Sequence, residues 1–141
     1  MNSPTEKRAR LLRLRMIERR QAEIRMARAG TTLQGLEAIA ARLEALRAEL
    51  VPSMQVQPGV VIRAMADMQL RLEAAAHELN VSLKTARAVF DHEAERRNHA
   101  TRREDGAARL HDAALAQDEI LAERRVDALR IAPARKRRNE Q

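Results

Sequence analysis

Residues 36–59 read LEAIAARLEALRAELVPSMQVQPG. Leu36, Ile39, Leu43, Leu46 and Leu50 recur in alternating steps of three and four, which lines apolar side chains along one stripe of an α-helix as in a coiled-coil seam. Pro52 stops that helix, because it has no amide hydrogen and its ring clashes with the preceding turn. Residues 52–59 read as a loop, with Pro58 suited to the first turn of a following helix. On the far side Met65, Leu72, Leu79, Leu83, Ala86 and Phe90 form a second series. Two helices with apolar stripes and a short connection make an antiparallel pair. The expected fold is an all-α, antiparallel two-helix coiled-coil hairpin with a longer second helix, one domain over residues 1–141.

Working outward from the loop, the first helix is expected over about 4–51. Ser3, Pro4 and Glu6 form a capping box at its start: the Ser oxygen accepts from an orphan amide, the Glu reaches back, and Pro fits the first helical position. Ala9, Leu12 and Met16 open one stripe, and Ile17, Ile24, Ala27 and Thr31 continue it after an offset of one residue. Gly30 and Gly35 bracket a second offset, read as a seam adjustment or soft bend.

The second helix is expected over about 60–131, ended by Pro133, with a basic tail at 132–141. The first helix is roughly 69 Å long at 1.5 Å per residue, so counting back from the loop it runs out near Glu104 to Gly106. Over Asp91–Arg103 the seam turns polar, with His92, Glu93, Arg96 and His99. Leu110, Ala114, Ile120 or Leu121, Val126 and Leu129 then renew an apolar series. Residues 107–131 either continue as an overhanging helix or fold back or pair with another chain. The continuous overhang is the favoured reading, and it exposes Leu110, Leu121 and Leu129.

The composition suits long helices. Of 141 residues a third are charged, one is aromatic (Phe90) and none is Trp or Tyr, so a large globular core is excluded and stability rests on a narrow seam and helix propensity. The absence of Cys excludes disulfides and thiolate metal sites and fits the cytosol. No apolar run approaches the roughly 20 residues of a membrane span, and the charged start has no apolar block of a secretory signal behind it. A cytoplasmic protein is expected.

The net charge of +7 is uneven: residues 1–30 carry nine Lys/Arg against three acids, residues 132–141 four against one, and residues 31–131 fourteen against sixteen. In a hairpin the two basic segments share one end, a field that steers an acidic partner.

Catalytic chemistry finds no constellation. His77-Glu78 and His92-Glu93 lack the second His at i+4 that a helical zinc site needs. His92 and His99 lie two turns apart, roughly 10 Å along the axis. The histidines read as solvated or seam-edge residues. Ser3, Ser53 and Ser82 have no base and acid arranged around them, and no glycine loop cradles phosphate. No enzyme activity and no cofactor are expected. The basic residues Lys7, Arg8, Arg10, Arg13, Arg15, Arg19, Arg20 and Arg135–Arg138 fit a solvated helix end, an acidic protein partner, or nucleic acid through phosphate contacts. A single Phe offers little base stacking. At the other tip, Leu46, Leu50, Val51, Met54, Val56 and Val60 either form a contact patch or bury one another in the turn.

The opening Arg8-Ala9-Arg10-Leu11-Leu12-Arg13-Leu14-Arg15 and the closing Leu121-Ala122-Glu123-Arg124-Arg125-Val126-Asp127, leading to the basic tail, resemble the FliJ family of flagellar export proteins and their counterparts in virulence type III secretion. That resemblance implies a non-enzymatic stalk that enters the ring of a hexameric export ATPase, contacts the export gate and assists export chaperones, peripheral to the inner membrane. It implies that Arg8, Arg13, Arg15, Arg20, Arg124 and Arg125 face the ATPase. The opposite tip, around Leu43, Leu46, Leu50 and Met54, is then the candidate gate contact. A nucleic-acid-associated basic coiled coil, or a scaffold that homodimerises through Leu110–Leu129, are the alternatives.

Overall fold

The computed structural model describes residues 3–53 and 58–139, and the side chains of 3–52 and 58–132 among them. The described residues form two α-helices that pack against each other as an all-α hairpin, α1 (Pro4–Ser53) and α2 (Gly59–Asn139). The expected capping box opens α1: the Glu6 amide donates to Ser3 Oγ at 3.1 Å, and the Ser3 amide donates to Glu6 Oε2 at 3.0 Å. At the head of α2 the Pro58 carbonyl accepts from the amides of Val61 and Ile62, both at 3.0 Å. Pro58 therefore caps the second helix from just outside it.

Several boundaries differ from the sequence reading. Pro52 lies inside α1, which ends one residue later. A proline near the end costs a single helical bond, where the last carbonyls have few helical donors in any case. Likewise α2 runs through Pro133 to Asn139. The loop read at 52–59 thus surrenders Pro52, Ser53 and Gly59 to the helices, while Met54 and Val56 lie outside the described residues. Neither Gly30, Gly35 nor Gly106 interrupts its helix.

The seam in α2 follows the predicted phase. Met65, Leu72, Leu79 and Phe90 are half-buried, and Leu83 and Ala86 are buried. In α1 the phase is different. Its inward positions are Thr5, Arg8, Leu12, Arg15, Arg19, Ala22, Met26, Ala29, Leu33, Leu36, Ala40, Leu43, Arg47 and Leu50, one alternation of three and four with no offset. Ile39 and Leu46, read as seam residues, are each 54% exposed, and Met16, Ile17, Ile24, Ala27 and Thr31 are exposed too. The reason is that the heptad is fixed over the whole helix by its best-buried members, Ala22 and Ala29. A local preference for the larger side chain at 39 over 40, or 46 over 47, does not move it. Arg47 fits this seam by laying its stem inward while its head reaches Glu44 at 3.5 Å.

Contacts divide the chain into two units, one of residues 1–20 with 98–141 and one of residues 21–97. In the second, Phe90 of α2 lies against Gly30 of α1, where a Cβ would stand 3.3 Å from the ring. The missing side chain makes room for the chain's single phenyl ring. Ile39, Leu43, Ala75, Glu78, Leu79 and Ser82 line a shallow groove along one flank of this unit. Residues 58–64 are exposed, and the seam opens only at Met65.

The first unit has a polar seam. Arg19 of α1 pairs with Glu104 of α2, and Thr5 of α1 donates to Asp118 of α2. Fourteen residues forward on α1 match fourteen back on α2, the relation of antiparallel helices in constant register. The first turn of α1 therefore meets Asp118 and not Glu104–Gly106. Counting back from the loop assumed that pairing starts at the loop, whereas the first turns of α2 stand clear of the seam. The helix does continue past its partner: every residue from Leu115 to Ala132 is exposed, Leu121 and Leu129 included. Among the described residues of this unit Ala107 and Ala114 are the buried ones, so its apolar core is small.

Candidate interaction surface

Charge separates the two units. Residues 1–20 and 98–141 hold seventeen Lys/Arg and ten acids, whereas residues 21–97 hold ten of each. The whole net charge of +7 therefore resides in the first unit, and the second is neutral.

Within the first unit the six arginines read as partner contacts fall into two sets. Arg8 and Arg15 occupy seam positions. Arg8 Nη1 donates to the Leu110 carbonyl at 3.0 Å across the helix pair, and Arg15 Nη1 meets Glu18 at 2.8 Å. Arg8 thus links the two helices, while the Arg15 pair lies within α1. Arg13, Arg20, Arg124 and Arg125 are exposed. Arg13 Nε reaches only its own helix, at the Ala9 carbonyl, 3.4 Å away. Lys7, Arg10, Arg102, Arg103 and Arg109 add exposed cations to the same unit. A surface with this excess raises the local concentration of an acidic partner and gives binding that salt weakens.

Sequence reading missed the pairing of Arg19 with Glu104 and of Thr5 with Asp118. The available signal was the heptad itself: extended unbroken toward the N-terminus, the phase of Ala22 and Ala29 lands on Arg19, Arg15 and Arg8. Extended along α2 from Ala86 and Phe90, it lands on Glu93, Arg97 and Glu104. Arg96, placed in the polar stretch of the seam, is exposed, and so are His92 and His99, the histidines having been read as solvated or seam-edge. His111 is the half-buried histidine, and its Nδ1 is buried without a hydrogen-bond partner, as is Glu93 Oε2. Among the described residues no three His, Cys, Asp or Glu side chains gather to hold a metal.

Of the four residues read as a gate contact, three are described. Leu43 and Leu50 are half-buried in the seam, Leu46 is exposed on the flank, and Met54 lies outside the described residues. Among the described residues no helix is long and apolar enough to cross a membrane. No family model matches the chain, and neither does any curated protein or solved structure.

Proposed function

We propose that this chain is a non-enzymatic stalk or adaptor of a type III protein export apparatus, the role implied by its resemblance to the FliJ family. In this role it works in the cytoplasm, peripheral to the inner membrane, and engages a hexameric export ATPase together with the export gate or export chaperones. The observation that carries the reading is the confinement of the net charge of +7 to the unit that unites the two ends of the chain. A neutral unit and a strongly cationic one on the same hairpin suit a body that is drawn to an acidic socket by one part only. The unpaired stretch of α2 after Asp118 offers Ile120, Leu121, Val126 and Leu129, all exposed, beside Arg124 and Arg125. Exposed apolar side chains next to cations are the makings of a partner contact with a charged rim.

The test is co-purification with the hexameric export ATPase. Reversing Arg13, Arg20, Arg124 and Arg125 to Glu leaves the seam intact, because all four are exposed, and is expected to abolish capture. Unchanged capture by the reversed protein would refute the assignment. If instead the protein binds nucleic acid with a log–log salt slope set by the phosphates neutralised, and not the ATPase, the nucleic-acid reading replaces it.

A further inference from the structure

The two flanks of the neutral unit differ in chemistry. One carries Glu37 and Glu44 of α1 and Glu73 and Arg87 of α2. The other carries Ile39 and Leu46 of α1 and, at successive steps of seven on α2, Val61, Met68, Ala75, Ser82 and Val89. No charge interrupts the second series. Ile39, Leu46, Val61, Met68 and Val89 are all exposed, and the shallow groove lined by Ile39, Leu43, Ala75, Leu79 and Ser82, with Glu78 at its border, opens along this flank. The apolar series on α2 spans about 42 Å at 1.5 Å per residue.

The charges that border this flank are arranged in matched pairs. On the outer edge of α1 stand Arg42 and Glu49, seven residues apart; on the outer edge of α2 stand Arg71 and Glu78, again seven apart. A twofold axis crossing α1 between Ala45 and Leu46 brings Arg42 opposite Glu49 of a second copy, and Glu49 opposite its Arg42. A twofold axis crossing α2 between Ala74 and Ala75 does the same for Arg71 and Glu78. These are one axis. Phe90 lies against Gly30, and sixteen residues forward from Gly30 is Leu46 while sixteen back from Phe90 is Ala74. The two crossing points therefore lie within about one helical turn of each other along the antiparallel helices. The same operation brings Leu46 and Ala75 level with their own copies to within one residue, and likewise Met68 with Ser82 and Val61 with Val89.

We propose that this flank is a homodimer interface, on which a second copy of the chain lies antiparallel to form a four-helix bundle over the neutral unit. The surface is self-complementary in the way an isologous interface requires: an apolar centre closed by four opposite-charge pairs. Because the neutral unit carries ten cations and ten acids, no net repulsion opposes the approach there. The interface uses none of the exposed arginines assigned to the ATPase, so it stands or falls independently of the stalk reading.

The experiment measures the mass of the full chain by light scattering and sedimentation across concentration. The expected result is a concentration-dependent dimer. R42E alone and E49R alone are each expected to weaken dimerisation about tenfold or more, because each turns two attractive pairs into repulsive ones. The double exchange R42E/E49R is expected to restore it, with helicity by circular dichroism unchanged throughout. A cysteine introduced at Ala75 is expected to cross-link two copies, and one at Ala38, on the outward face of α1, is not. A monomer at every concentration would overturn the proposal. So would a dimer indifferent to both single reversals, or a dimer lost only when Leu121 and Leu129 are replaced.

Discussion

Arg19 of α1 and Glu104 of α2 form an ion pair across the seam of the cationic unit, with both side chains largely shielded from solvent. Because that seam has little apolar material besides Leu12, Ala107 and Ala114, the pair supplies register where packing cannot. Fully buried pairs gain little net stability, but removing one partner takes from a shielded charge the opposite charge that offsets it. Arg19→Ala and Glu104→Ala are each expected to cost about 1–2 kcal/mol in chemical unfolding. The exchange R19E/E104R is expected to recover most of the loss. Equal, additive losses would mean that the two groups do not couple.

The three glycines in the helix interiors separate by what surrounds them. Gly35 and Gly106 have open space where a Cβ would stand, whereas a Cβ on Gly30 presses on Phe90. G35A and G106A are each expected to stabilise the protein by up to about 1 kcal/mol, the helix-propensity difference. G30A is expected to gain less or to destabilise, because Phe90 must yield. Thermal unfolding of the three variants side by side decides this, and an equal gain at all three would remove the role given to Gly30.

His111 sits half-buried on the seam with a buried Nδ1 that has no protein partner. Replacing it with Leu keeps similar bulk and removes an unsatisfied polar atom. H111L is expected to raise stability by about 1 kcal/mol, read from the denaturation midpoint at unchanged slope. A clear destabilisation would show that the imidazole makes a contact the hairpin needs.

The paired oxygens of Ser3 and Glu6 close the N-terminus of α1 in both directions. S3A is expected to cost about 1 kcal/mol, felt first as faster amide exchange in the opening turn of α1 and little elsewhere. Uniform loss of protection along both helices would contradict a local cap.

Much of this hairpin was legible in the sequence, for physical reasons. Met65, Leu72, Leu79, Leu83, Ala86 and Phe90 were readable because on α2 the large apolar residues and the inward positions coincide. The Ser3–Glu6 cap was readable because it needs only local spacing. On α1 the coincidence fails: Ala40 and Arg47 turn inward while Ile39 and Leu46 turn out, and single-residue hydrophobicity points the wrong way. The same failure hid the polar seam, since Arg8, Arg15 and Arg19 look like members of a solvated basic run until the heptad is carried through them. The pairing distance of the helices depends on how far α2 runs before its seam opens, and no residue type between Gly59 and Ala64 announces that. The site fared less well. The basic end was legible, because any hairpin brings the two basic segments together, whereas the partners of Arg8 and Arg19 depend on the register, which counting misjudged.

The central claim is the antiparallel return that joins residues 1–20 to residues 98–141 with Thr5 beside Asp118. The chain has no cysteine, so pairs can be introduced freely. Cysteines at Thr5 and Asp118 are expected to close an intramolecular disulfide under dilute mild oxidation, seen as an oxidised monomer of faster gel mobility, while cysteines at Thr5 and Gly106 are not. Closure of the Thr5–Gly106 pair in preference to Thr5–Asp118, or of neither, would contradict the register on which this account is built.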